Sequence, residues 1–185
     1  MDIKILKLNK AGQPLSWIDY EQAALLYSRD QVAWTFGDVS VRLRGGYSRL
    51  TGKQSTLEIS SVIAVKGISK FNRRVPPLTN RALFARDQFM CTYCGRVFPA
   101  SELTRDHIMP RARGGRDRWS EVTTACRSCN NRKGCRTPEE AGMKLLCIPY
   151  VPNKNDYLVL QNRRVLADQL EFLKKGFSKH MKASY

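Results

Sequence analysis

"CTYCGRVFPASELTRDHIMPRARGGRDRWSEVTTACRSCNN", residues 91–131, opens on one Cys-x-x-Cys pair and closes on another, with 31 residues between them. Zinc favours four tetrahedral thiolates, and each such turn offers two sulfurs to the same ion while the chain between loops out and returns. Cys91, Cys94, Cys126 and Cys129 are therefore expected to hold one structural zinc per chain. With every position taken by sulfur, that ion has no room for a substrate. A thioredoxin-like redox site needs only one pair and would leave the second unexplained. Cys135 and Cys147 fall outside the pattern and read as ordinary buried thiols. The clamp ties residues 95–125 into a closed loop that contains Asp106 and His107 and brings Asn130 and Asn131 towards them.

The charge balance narrows the partner. Lys and Arg number 32 against 16 Asp and Glu, which leaves +16 on 185 residues and favours a polyanion, nucleic acid first. Solubility or a membrane surface would also suit the sign. Neither explains why the basic residues of 70–136 are mostly arginine interleaved with Cys, Asp, His and Asn. At 42% apolar and 26% charged, the composition is that of a globular protein. No apolar run approaches spanning length, and "MDIKILKLNK" is too charged for the apolar segment of a signal peptide. A cytoplasmic protein without a membrane partner is expected.

On the N-terminal side, residues 1–69 read as a mainly β domain with one helix, "WIDYEQAALLY". "VAWTF" sets Val32, Trp34 and Phe36 on one face, where they read as core. "GD" reads as a two-residue hairpin turn, "VSVRL" alternates again, and "STLEISSVIAVKG" adds a strand or two. Residues 70–80 read as a basic linker, after which Thr79 caps a short helix, "NRALFARD". Beyond the second cysteine pair, residues 137–185 read as a helical extension. Thr137, Pro138 and Glu140 form a helix-start signature, and Leu166, Leu170, Leu173 and Phe177 share a helical stripe that is core or a dimer seam. The lysines at 174, 175, 179 and 182 read as a solvated tail, with His180 as surface.

Cutting a phosphodiester requires a deprotonated water, charge stabilisation on the phosphate and help for the leaving oxygen. A histidine near its ordinary pKa of about 6.5 accepts a proton at neutral pH, and a neighbouring aspartate can hold a hard divalent ion. Adjacent strand residues face opposite ways, so Asp106 and His107 share a site only where the strand ends or bulges. "MPRARGG" supplies that irregularity.

Residues 84–136 resemble an HNH endonuclease of the zinc-containing ββα-metal type, in order through C-x-x-C, D-H-I-x-P-R-x-x-G-G, a tryptophan, A-C-x-x-C-N and R-K-G. "RTPEEAGMKLL" resembles tails that follow this nuclease in bacterial members. The resemblance implies an α+β fold: a ββα-metal nuclease core over 81–136 with the four-cysteine zinc site, between the β-rich domain and the C-terminal helices. It makes His107 the general base, and Asp106 and Asn130 the protein ligands of a catalytic magnesium or manganese ion. The substrate it implies is DNA, duplex first, cut to a 5′-phosphate and a 3′-hydroxyl, with a homodimer as one arrangement for cutting both strands. Arg111, Arg113, Arg116 and Arg118, with Arg132 and Lys133 on the helix, would meet phosphates. A solvated loop is the plain alternative for the arginines, a helix cap for Asn130 and Asn131 for the ligand, while Trp119 reads as packing under the loop rather than as a base-stacking platform.

One position departs from the family. Two residues after the tryptophan, an asparagine amide normally braces the histidine loop, and here Glu121 stands in its place. An ionised glutamate only accepts hydrogen bonds. Either Glu121 braces the loop differently, or activity is reduced or absent, which leaves a zinc-stabilised nucleic-acid-binding protein as the alternative. A protein-interaction scaffold with incidental charge is a third reading.

Overall fold

Alternating apolar residues in "ILKLN" and "PLSWI" pair as antiparallel strands β1 (Ile5–Asn9) and β2 (Pro14–Ile18) in the computed structural model, which describes residues 3–67, 75–162 and 164–183. Helix α1 (Tyr20–Ser28) starts where Asp19 accepts from the Gln22 backbone while the Gln22 side chain returns a bond to the Asp19 backbone. Strands β3 (Val32–Tyr47) and β4 (Gln54–Val65) complete a sheet ordered β2-β1-β4-β3, in which β1 and β4 run parallel. Ile5, Ile18, Ala23, Ile59 and Ile63 form its core beneath α1. Helix α5 (Ala167–Lys174) joins this unit from far along the chain. The buried Gln169 amide donates to the Lys4 and Ser61 carbonyls, so polar backbone there is satisfied by a side chain.

The "GD" pair is not a hairpin turn: β3 runs through Gly37 and Asp38 as one strand with bulges. A two-residue hairpin needs the left-handed region at both positions or a glycine fitted to the turn. Gly37 alone has positive φ, +81°, and the Asp168 carboxylate and Ser61 hydroxyl fill the space where a Cβ would stand. The chain reverses instead at residues 48–53. Trp34 and Phe36 are less buried than core residues: Trp34 donates to the Lys10 carbonyl, and Phe36 rests against Phe172.

The second unit begins with α2 (Asn80–Arg86), capped by Thr79 as expected. Its last residue, Arg86, is buried and forms a two-pronged pair with Asp87, donates to the Trp119, Val122 and Tyr150 carbonyls, and lies over the Trp119 and Tyr150 rings. Asp87 in turn accepts from the Thr124 backbone, so the pair pins α2 to β6 (Val122–Cys126). Strand β5 (Leu103–His107) pairs antiparallel with β6, and α3 (Arg127–Lys133) follows directly. Trp119 is buried, donates to the Pro76 carbonyl and meets Tyr157 edge-on, the packing role read from sequence. Tyr157 belongs to α4 (Lys154–Gln161), within the stretch read as a helical extension.

Contacts divide the chain into Met1–Arg73 with Asn162–Phe177, and Arg74–Gln161 with Ser178–Tyr185. Residues 70–74 of the expected basic linker lie outside the described residues. The signature at Thr137 makes a single turn rather than a helix: Thr137 and Glu140 cap one another, but Gly142 at φ +62° closes the turn with a Met143 bond to the Pro138 carbonyl. On the stripe, Leu173 and Phe177 are buried, while Leu166 is exposed. His180, on α6 (Lys179–Lys182), is more than bystander surface, because it stacks on Tyr150 with ring centroids 4.7 Å apart. Cys135 is exposed and Cys147 half-buried, unlike the buried thiols expected. Among the described residues no helix is long and apolar enough to cross a membrane.

Candidate functional site

Cys91 and Cys94 sit in a tight turn between Met90 and Val97, which form an isolated bridge, while Cys126 ends β6 and Cys129 lies one turn into α3. Hydrogen bonding between the Thr92 backbone and Thr124 fastens the first turn beside β6. All four sulfurs lie within 4.8 Å of one another. Tetrahedral Zn–S bonds of about 2.3 Å place sulfurs about 3.8 Å apart, so the cluster matches a four-thiolate metal site in size and chemistry. Burial pushes the Cys91 and Cys129 thiols up. Burial also works against Cys94, yet hydrogen bonds from Arg96 bring that thiol down to about 7, towards the thiolate a metal requires.

The clamp holds a strand, strand, helix unit. Along β5, Thr104 and Asp106 face α3, where Asn130 donates its amide to Thr104 and Lys133 donates its ammonium to Asp106. Leu103, Arg105 and His107 take the alternate positions, and the ladder stays in regular register through His107 and Val122. The irregularity thus begins only after His107, at Ile108.

This ββα unit, closed by paired cysteines with Asp-His at the end of its first strand, is the arrangement the sequence resemblance implied. A family model described as HNH endonuclease matches residues 91–146. The chain carries an HNH endonuclease domain. No curated protein matches the chain. The domain is of nuclease type, and it implies a nucleic-acid substrate.

Within the HNH domain, His107 Nε2 lies 3.0 Å from Asp117 Oδ1. The Arg105 guanidinium donates to the same carboxylate at 2.8 Å and holds it below the usual carboxylate range, with His107 adding to the effect. An ionised carboxylate only accepts, so Nε2 is the donor, and the neutral ring in that tautomer has its lone pair on Nδ1. Arg105 is itself steadied by the Asn80 side chain and the Leu78 carbonyl. Asp106 is buried, with Tyr93 donating to one oxygen and Lys133 to the other at 3.0 Å. Burial and the bond to Asp106 push the Tyr93 phenol up, so Tyr93 stays a donor.

Lys133 departs from its sequence reading. It is 1% exposed and bridges Asp106 and the His107 carbonyl, so it faces the protein rather than a phosphate. The other expected cations remain on the surface: Arg111, Arg116 and Arg132 have side chains without a partner among the described residues, Arg113 pairs with Glu140, and Arg118 approaches Glu121. Glu121 spans the loop after His107: its carbonyl accepts from Ile108, and its carboxylate accepts from the Arg116 backbone at 2.9 Å. An acceptor suffices for that brace. Asn131 is exposed, and Asn130 lies nearer the strand.

Sequence reasoning missed Tyr93, Arg105 and Asp117. Arg105 carried a signal, since strand alternation puts it on the face of His107. Asp117 looked like one charge in a charged loop, and only the fold brings it to the imidazole.

Proposed function

We propose that the HNH domain hydrolyses phosphodiester bonds in duplex DNA with His107 as general base, leaving a 5′-phosphate and a 3′-hydroxyl. The observation that supports this most is the His107–Asp117 hydrogen bond, because it keeps a lone pair on Nδ1 for the proton of an attacking water and stabilises the imidazolium that results. Asp117 is then a positioning residue, and Arg105 positions Asp117. Arg111, Arg116 and Arg132 hold the phosphate backbone. The four cysteines hold one structural zinc ion per chain and keep the ends of the loop together.

Asp106 and Asn130 would hold the catalytic ion, magnesium or manganese. A carboxylate and an amide oxygen are the hard donors such ions take, and an ion at Asp106 would take the place of the Lys133 ammonium there. When bound, the ion stabilises charge on the phosphate and on the leaving oxygen. The engagement of Asp106 by Lys133 and Tyr93 also favours the second reading, a zinc-stabilised protein that binds nucleic acid without cutting it.

Plasmid relaxation in magnesium or manganese separates the two readings. The parent chain is expected to nick, and His107→Ala to lose at least ~100-fold in rate with zinc content and folding unchanged. Asp117→Ala is expected to lower kcat ~10-fold at nearly constant KM. A parent that binds DNA with a steep salt dependence but never cuts would establish the binding protein instead.

A further inference from the structure

Beyond the pairing of β1 with Leu6–Asn9 opposite Val62–Val65, β3 and β4 continue as a two-stranded ribbon. Val41, Leu43 and Leu57 still pack one face of its base against the core, but every residue from 44 to 56 is exposed. This tip keeps its own shape. Ser48 donates its backbone N–H to Lys53, Gly52 to Ser48, and the Gln54 and Ser55 side chains close onto the Gly45 and Gly46 carbonyls. It displays Leu50, 97% exposed, and Tyr47, 71% exposed. Arg44, Arg49 and Lys53 neighbour them in sequence, no acidic residue lies between 44 and 56, and none of the three cations has a partner among the described residues. Farther down, Arg42 is paired by Glu58.

We infer that this ribbon is a second nucleic-acid-binding site, an arm that enters a groove of B-form DNA. Arg44, Arg49 and Lys53 meet phosphates along the groove walls, and Leu50, with Tyr47 beside it, meets the base pairs. The shape suits the partner: a two-stranded ribbon fits a major groove about 12 Å wide. Apolar side chains at the tip of a cationic element are the kind that wedge against base steps. An apolar protein groove that took Leu50 and Tyr47 would leave the three cations unpaired, whereas phosphates on both sides of a groove use all three. A narrow, deep A-form groove does not admit the ribbon, so the inference commits to DNA rather than duplex RNA. The arm lies outside the HNH domain, and its binding does not depend on whether that domain cuts.

The test is equilibrium binding of the full chain to a labelled DNA duplex across a salt series, without magnesium or manganese. The triple variant Arg44→Ala, Arg49→Ala, Lys53→Ala is expected to bind at least ~10-fold more weakly, with a log-log salt slope smaller by about 2 to 3. Lys174→Ala, Lys175→Ala, Lys179→Ala removes equal charge elsewhere and is expected to change neither by as much. Leu50→Ser should weaken binding at constant slope. Circular dichroism should be the same for all four proteins, since none of the changed side chains is buried. Equal losses in the two triple variants overturn the inference, as does a parent that ignores duplex DNA or an arm variant that alters only self-association in sedimentation. Plasmid cutting by a chain whose arm variants bind normally would leave the nuclease reading standing while removing this one.

Discussion

At Lys133, charge and burial decide a role that residue type alone left open. A lysine four residues after the last cysteine of the clamp reads as a surface cation, but α3 turns it inward, where its ammonium bridges the Asp106 carboxylate and the His107 carbonyl. Removing one member of a buried pair leaves the other uncompensated, which typically costs about 3–5 kcal/mol. Lys133→Met is therefore expected to lower unfolding stability by about that much in urea titrations. Magnesium should raise the melting temperature of the variant more than that of the parent, because Asp106 is then open to the ion. Equal stability in the two proteins would mean that the pair contributes nothing. At Asp117, which sequence reading passed over, and at Glu121, which stands where an amide brace was expected, two acids take up the His107 ring and the loop backbone.

At the level of elements, local pattern was read correctly where capping chemistry and alternation agree with what surrounds them. Asp19 and Thr79 start helices because each has an apolar helix face to follow. Thr137 has its capping partner too, yet Gly142 stops the chain after one turn. Gly37 shows how a turn signal becomes a bulge. Its positive φ lets β3 bend without ending, and its missing Cβ admits Asp168, whose carboxylate takes the Ser61 hydroxyl and the Asp38 backbone. Gly37→Ala should therefore cost more than about 1 kcal/mol, read as a lower urea midpoint, because strain and crowding act together. An unchanged midpoint would show that the bulge yields freely.

For the whole molecule, two units with separate cores carry different dependences on metal. The first rests on the apolar residues around Ile5, Ile59 and Ile63. The second also buries Leu83, Trp119, Val122 and Leu158, and beside them the four cysteines close a small cluster of Cys91, Ala125 and Cys126, where an ion, once held, would contribute directly to folding. Removing the metal with a strong chelator is expected to speed amide exchange across β5, β6 and α3 by more than tenfold, while β1 and the paired end of β4 keep their protection. Uniform protection after complete metal removal would make the cluster dispensable. The same division explains what was legible. Four cysteines in pairs, Asp106, His107 and Asn130 lie within residues 91–130, a stretch short enough for spacing to bring them close. Helix α5 docks on a sheet that begins more than a hundred residues earlier, and no local pattern announces that.

By itself the sequence determined the metal clamp, the ββα unit it closes, the candidate base and the excess of positive charge, because sulfur spacing, strand alternation and charge are properties of short stretches. Tertiary structure alone decided which partners those groups have. It gave His107 a carboxylate, took Lys133 out of solvent, made Glu121 a brace and carried the ribbon tip beyond the core, since hydrogen bonding and burial depend on which distant segments meet.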